Sequence, residues 1–252
     1  MHVDLTNRTV LVTGASRGIG RAIARQCAES GAVVAAQFFK SREEAESLAA
    51  GAPERIHLFR ADLADLVSCR RLFASVLEHF GGIDVLINNA GVALPLSLDA
   101  SLEAWWKGWD LTMHVNVRAA ELLSRLAIPH FRDRGGGRII SMASRAAFRG
   151  DAPPYMTYAA SKAALVALTR SIARGFGRDG IRAFVVAPGF VRTDMAEPFI
   201  DAYGEEYALQ DLATDRLTEP DDVAPMVVFL AAGMADHATG ATIDVNAASY
   251  VR

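Results

Sequence analysis

Seven short apolar runs, each separated from the next by a longer stretch with helical spacing, constrain this chain more than any other feature. The runs are TVLVTG at 9–14, AVVAAQF at 32–38, IHLFRA at 56–61, DVLINNAG at 84–91, GRIISMAS at 137–144, IRAFVVAPG at 181–189 and ATIDVN at 241–246. Several are apolar without alternation, as strands covered on both faces are. Between them lie helical patterns at about 18–30, 42–50, 67–80, 101–130, 155–178 and 220–234. Regular β–α alternation predicts an α/β fold with a doubly wound parallel sheet of about seven strands and helices on both faces. The alternation runs through all 252 residues without a Pro/Gly/Ser-rich linker, so one domain spanning 1–252 is expected. Only the segment at 191–220 breaks the pattern. It follows a strand end, where open parallel sheets bind ligands, and it reads as a lid on the substrate side. A surface excursion packed by its own side chains is the competing reading.

Glycines stand where such a fold would need them. VTGASRGIGRAI places Gly14, Gly18 and Gly20 between the first strand and the first helix. Missing side chains let a pyrophosphate approach the backbone, and the helix start offers it unpaired N–H groups. Glycines also end strands without any ligand, and the T-G-x-x-x-G-x-G spacing differs from G-x-G-x-x-G. The position after the first strand of an alternating chain decides for a dinucleotide site of Rossmann type. At the end of the second strand, an acid would bind the adenosine ribose hydroxyls and repel a 2′-phosphate. AAQFFKSR has no acid there, and Arg17, Lys40 and Arg42 lie close in sequence, so NADP(H) is favoured over NAD(H). Solvated cations at a helix start are the competing reading for Lys40 and Arg42, and Arg17 carries the argument more strongly.

The segment PPYMTYAASKAAL raises a second chemistry. On a helix, Tyr155 and Tyr158 both fall on the face of Lys162, but Tyr158 lies about 6 Å back along the axis and Tyr155 more than about 10 Å. Pro153 and Pro154 place Tyr155 near the first turn. Tyr158 is therefore the partner of Lys162. An ammonium near a phenol favours the phenolate, and a phenol of pKa about 10 is otherwise a poor base at neutral pH.

Other classes lose support from composition. A formal charge of −3 supplies no attraction for nucleic acid or an anionic membrane. Two cysteines, Cys27 and Cys69, exclude a disulfide framework and a Cys-based zinc cluster, and six histidines without metal-type pairs give no metal site. The start MHVDLTNRTVLVTGAS lacks the apolar stretch of a signal peptide, and the uncharged run at 223–235 is too short to span a bilayer, so a cytoplasmic protein is expected.

With TGASRGIG, ADL at 61–63, NNAG at 88–91, Asn116 in HVNV, Ser144, YAASK and PGFVRTDM at 188–195 in this order, the chain resembles the short-chain dehydrogenase/reductase family nearly end to end. It looks like the compact branch, and within it the 3-oxoacyl-[acyl-carrier-protein] reductases and their relatives acting on other ketones. The resemblance implies Tyr158 as proton donor to a carbonyl oxygen, or base in reverse, and Lys162 as ligand of the nicotinamide ribose that lowers the tyrosine pKa. It implies Ser144 as holder of the substrate oxygen and Asn116 as anchor of a water in the proton relay. The implied cofactor cradle begins with Gly14, Ser16, Arg17, Gly18, Ile19 and Gly20, and continues with Phe38, Lys40 and Ser41. Asp62 and Leu63 would border the adenine, and Asn89, Ala90 and Gly91 the ribose and its linkage. Tyr158 and Lys162 also belong to it, as do Pro188, Gly189, Val191 and Thr193 along the nicotinamide.

Three departures stand out. Ser144 precedes Tyr158 by fourteen residues, one more than is commonest in the family, which predicts a bulge in the loop between them, with Ser141 as an earlier rival. Ala247 and Ala248 occupy the place of a paired glycine after the last strand. Phe148, Pro153, Pro154 and Tyr155 are expected to crowd the pocket.

The leading functional reading is NADPH-dependent reduction of a ketone to a secondary alcohol. Its narrower form is a 3-oxoacyl thioester on an acyl carrier, docked by Arg132, Arg134, Arg138 and Arg178, which read equally as solvated arginines. An NAD(P)-dependent alcohol, polyol or sugar dehydrogenase is the alternative. A non-catalytic nucleotide sensor is the third, and the presence of all four catalytic-type residues speaks against it. Helices at 101–130 and 155–178 pair across a dimer axis in relatives, so a homotetramer or homodimer is expected. Leu122, Leu123, Leu126, Leu165 and Leu168 fit that expectation, and core packing explains them as well.

Overall fold

Each apolar run becomes a strand of one parallel sheet in the structure, a computed structural model that describes residues 3–197, 200–201 and 204–251. The strands are β1 (Thr9–Val12), β2 (Val33–Phe38), β3 (Ile56–Arg60), β4 (Val85–Asn88), β5 (Gly137–Met142), β6 (Ile181–Pro188) and β7 (Thr242–Val245). Their order is β3-β2-β1-β4-β5-β6-β7 and every pairing is parallel. The order reverses between β1 and β4, which opens a crevice at the carboxyl ends of those two strands.

The helices are α1 (Gly18–Glu29), α2 (Arg42–Ala50), α3 (Leu66–Phe80), α4 (Leu102–Met113), α5 (Ala119–Asp133), α6 (Ala146–Arg149), α7 (Met156–Phe176), α8 (Glu205–Leu209) and α9 (Pro220–Ala231). Strand periodicity decides which layer each residue joins. Val10 and Val12 pack with Ile23 and Cys27 of α1 and Val223 and Val227 of α9 on one face. Leu11, between them, packs on the other face with Leu72 of α3, Leu123 and Phe131 of α5, and Ile172 of α7. Apolar surface on both faces is why these strands show no polar alternation. Start and stop signals are local. Asp65 accepts N–H groups from Val67 and Ser68 at the start of α3, and Gly81 ends that helix at φ 72°.

One expected helix, at 101–130, differs. It is divided by a π-helical turn at His114–Arg118, which separates α4 from α5. Of the leucines considered for an interface, Leu123 and Leu165 are wholly buried within the chain, and Leu122, Leu126 and Leu168 pack against the same core.

The segment at 191–220 is held by contacts within itself and by a bond to the chain just after β7. Val191 forms an isolated parallel bridge with Thr218, Arg192 pairs with Glu205 and Glu219, and the Ala213 N–H donates to the Ala247 carbonyl. Residues 198, 199, 202 and 203 of the expected lid lie outside the described residues. Ala247 and Ala248 take φ values of 48° and 57°, the left-handed conformation that a glycine pair would adopt without strain. Converting both to glycine should stabilise the fold by about 1 kcal/mol, because relief of the Cβ clash exceeds the added freedom of the unfolded chain. The midpoint of urea unfolding reads this out, and an unchanged or lower midpoint contradicts it.

Candidate active site

The glycine loop is built around contacts that exclude a side chain. A Cβ on Gly20 would overlap the Gly14 carbonyl oxygen and the Asn89 amide nitrogen, and one on Gly14 would sit 3.0 Å from the Ala90 Cα. Loop and NNAG strand end therefore touch backbone to backbone. Thr13 joins them: its hydroxyl accepts from the N–H groups of Asn89 (2.9 Å) and Ala90 (3.0 Å). Asn89 returns its amide to the Thr13 carbonyl at 2.8 Å. Gln37, buried within β2, accepts the Gly14 N–H at 2.8 Å and donates to the Ala61 carbonyl at 2.8 Å. These side-chain bonds hold the loop over the crevice. Neither Thr13 nor Gln37 was assigned a role from sequence, although a polar Gln37 inside an apolar run was a visible signal.

A hollow of about 570 Å³ opens beside the loop, lined in part by Ser16, Arg17, Gly18, Glu43, Glu44 and Asp194. Arg17 caps the start of α1 by position and pairs with Asp194 at 2.8 Å, both side chains largely exposed. Thr193 lies against Gly18, and Ile19 packs on the core from α1. The α1 start carries unpaired N–H groups, so side-chain-free backbone and a helix end together suit a pyrophosphate. At the end of β2 the structure corrects one expectation. Phe38 is buried, because alternate strand residues face opposite ways, and the exposed ring is Phe39, with Lys40 and Arg60 against it at 5.8 and 5.9 Å. Ser41 precedes α2 without a side-chain cap, and Arg42 is held by Glu46 at 2.7 Å. Asp62 is fixed by its own turn, accepting the Ala64 N–H at 2.9 Å. Leu63 turns into the core beneath it.

Across the crevice, α7 delivers Tyr158 and Lys162 one turn apart. The Lys162 Nζ lies 5.6 Å from the centre of the Tyr158 ring and donates to the Met142 carbonyl at 2.8 Å. It also stands beside Gly91, where a Cβ would come within 3.2 Å of it. Burial lowers the Lys162 pKa to about 8. Burial likewise pushes the Tyr158 phenol up to about 12, against the lowering effect of a hydrogen bond with Ser144, and the Asp151 charge adds to the rise. The expectation of a phenol acidified by Lys162 thus meets a larger opposing effect: desolvation penalises the phenolate more than the neighbours favour it.

Ser144 is brought to Tyr158, and Ser141 is not: the Ser141 hydroxyl bonds Thr169 at 2.8 Å inside the sheet. The loop between Ser144 and Tyr158 holds α6 and a short 3₁₀ turn at Pro153–Tyr155. Phe148 is half-buried and packs against Ala143, Val166, Val185 and Ala187.

Asn116 sits buried in the π-helical turn. Its amide donates to the Val92 carbonyl (2.9 Å) and the Ser161 hydroxyl (2.9 Å), and its Oδ1 accepts the Val92 N–H at 2.8 Å. Both amide hydrogens are used, so the side chain can meet a relay water only as an acceptor. Ser161 in turn donates to the Tyr158 carbonyl at 2.7 Å, linking Asn116 to the helix that bears the phenol. Sequence reasoning passed over Ser161, though its place three residues after Tyr158 put it one helical turn away. Pro188 and Gly189 close the β6 end, where the Arg145 N–H meets the Pro188 carbonyl at 2.9 Å and Gly189 presses on Asn246.

The family model described as Enoyl-(Acyl carrier protein) reductase matches residues 14–247. The chain is 39% identical to the L-rhamnose 1-dehydrogenase (NAD(P)(+)) of Azotobacter vinelandii, over 98% of each chain. It is 34% identical to the 3-oxoacyl-[acyl-carrier-protein] reductase FabG of Staphylococcus aureus, over 97% of this chain and 98% of that one. A short-chain dehydrogenase of Burkholderia cenocepacia solved in complex with NADP superposes with a TM-score of 0.87 at 37% identity, over 97% of this chain and 98% of that one. The chain belongs to the short-chain dehydrogenase/reductase family. It is accordingly an oxidoreductase of the carbonyl/alcohol couple.

Among the described residues, this family member has no group of three or more His, Cys, Asp or Glu side chains that could hold a metal, and no helix long and apolar enough to cross a membrane. The arginines considered for a carrier face are largely engaged by acids: Arg138 by Asp236 at 2.9 Å, Arg132 by Asp179 at 2.7 Å and Arg134 by Asp84 at 3.8 Å.

Proposed function

We propose that the protein reduces a ketone to a secondary alcohol with NADPH, and that Tyr158 supplies the proton. The observation that carries this reading is a buried phenol held neutral, bonded by Ser144 and standing on the same face of α7 as Lys162. A nicotinamide in the crevice would supply hydride to the carbonyl carbon. The C=O π pair moves onto oxygen as Tyr158 delivers its proton there, and the Ser144 hydroxyl holds that oxygen in line. Lys162 would bind the ribose beside Gly91 and stabilise the phenolate left behind. Asn116 and Ser161 would keep the Tyr158 turn of the helix in place. Oxidation of an alcohol uses the same atoms in reverse, and the relative named a rhamnose dehydrogenase supports keeping that direction open. Purified protein given NADPH and a panel of ketones should oxidise the cofactor and form the alcohol. Cofactor binding without turnover in either direction contradicts the reading.

For the cofactor, Arg17 beside the glycine loop supports a 2′-phosphate. A charge-assisted hydrogen bond of this kind contributes about 1.5–3 kcal/mol, or roughly tenfold to a hundredfold in affinity. Arg17→Ala should therefore raise the Kd for NADPH about tenfold or more and leave NADH within about twofold. Equal effects on both cofactors, measured by fluorescence titration, would remove Arg17 from this role.

A further inference from the structure

Away from the crevice, two imidazoles meet at the edge of the sheet. His57 lies on β3, the outermost strand on that side, and His79 lies in the last turn of α3. They are 22 residues apart, too far for a local metal-type pattern, and the fold brings the His57 Nδ1 within 3.2 Å of the His79 Nε2. Phenyl rings seat both of them. Phe80 meets His57 edge-on at 5.1 Å and His79 at 4.5 Å, and Phe59 meets His79 at 5.8 Å. His57 is half-buried and His79 is exposed, so solvent reaches the pair.

The nitrogen separation fits either a hydrogen bond or a shared ion, and the ring positions choose between them. A straight N–H···N bond of that length would set the ring centres about 5.5 Å apart. They stand at 4.9 Å with the planes inclined by 57°, so at least one nitrogen is aimed off the line between the two. Two imidazole nitrogens about 2.0–2.1 Å from one tetrahedral cation lie about 3.3 Å apart, with ring centres about 5.2 Å apart. The observed 3.2 and 4.9 Å both correspond to a nitrogen–metal–nitrogen angle of about 100°. Helix position adds an independent attraction, because the free carbonyls at the end of α3 favour a cation there.

We propose that His57 and His79 form a two-imidazole clip for a divalent transition cation of the Ni²⁺, Cu²⁺ and Zn²⁺ class. Among the described residues no third His, Cys, Asp or Glu joins the pair, so water fills the remaining positions. Mg²⁺ and Ca²⁺ take oxygen ligands and do not suit this donor set. The bound ion ties edge strand β3 to α3. It meets both ligands only in the folded chain and therefore stabilises it. The site needs no turnover, so its fate is separate from that of the reductase reading.

Thermal unfolding of the untagged full chain, stripped with EDTA and then given Ni²⁺ alone, tests the clip. Ni²⁺ at about a hundred times its Kd should raise Tm by about 5–10 °C, and Mg²⁺ should leave it unchanged. His57→Gln and His79→Gln should each remove the shift. Each should also weaken Ni²⁺ binding by about tenfold or more in calorimetric titration, since even loss of an outer-shell partner costs that much. The exposed His79 carries the test alone where His57→Gln does not fold. A parent protein without a Ni²⁺-dependent rise overturns the proposal and leaves the pair as a hydrogen bond. An undiminished rise in the variants overturns it too, because the ion then sits elsewhere. So does an equal rise with Mg²⁺, which marks general screening of charge.

Discussion

Tyr158→Phe should lower kcat by about 10²- to 10⁴-fold with NADPH saturating, the range over which a positioned proton donor acts. The exchange removes one hydroxyl and keeps the ring, so packing along α7 is preserved and the Kd for NADPH should stay within about threefold. Ser144 loses its bond to the phenol in the same step and keeps the Ala146 N–H, which its hydroxyl accepts at 3.1 Å. Ser144→Ala should therefore lower kcat less than Tyr158→Phe does, and the double variant should fall short of the product of the two effects, as linked groups do. Single-turnover rates of cofactor oxidation separate the chemical step from product release. A Tyr158→Phe protein that matches its parent in that measurement would falsify the proton-donor assignment.

The second large effect is in the pH dependence. Reduction needs the neutral phenol, and burial keeps Tyr158 protonated up to about 12. Reduction should thus be level through neutral pH. It should decline as pH rises through about 8, where Lys162 loses the charge that assists the leaving phenolate. Oxidation needs the phenolate, which is scarce whenever the pH lies below the phenol pKa. Its rate should climb about tenfold per pH unit, or roughly a thousandfold over three units, without levelling off. A phenol acidified by its lysine predicts the opposite shape, a plateau near neutrality. Initial rates of alcohol oxidation at saturating cofactor across that span decide between them, and a plateau below about pH 9 would mean that bound cofactor reverses the balance set by burial.

The sheet was legible because burial on both faces writes an unbroken apolar run, and the glycine loop because no side chain fits between Gly14, Gly20 and Asn89. Tyr158, Lys162 and Ser144 were legible through spacing and resemblance. What sequence left out is of three kinds. The π-helical turn around Asn116 has no spacing signature, since HVNVR holds neither glycine nor proline to mark a break. The ionisation of Tyr158 depends on desolvation, which cannot be counted from neighbouring charges along a chain. The contact of Asp211 with Arg149 spans 62 residues, and nothing local to either residue announces it. Phe38 and Phe39 show a finer limit: strand alternation separates them, but the register that decides which is buried comes from tertiary packing.

The widened turn at His114–Arg118 also acts as a phase shifter. One extra residue in a helical turn rotates everything beyond it by about 100°. The C-terminal half of the rod can then press Leu123 and Phe131 onto the sheet while the N-terminal half leaves Leu102 and Trp106 facing outward. Two hydrophobic stripes out of step with each other can coexist on one nearly continuous rod. Deleting a single residue there would bring the stripes into line and swing Asn116 away from Ser161.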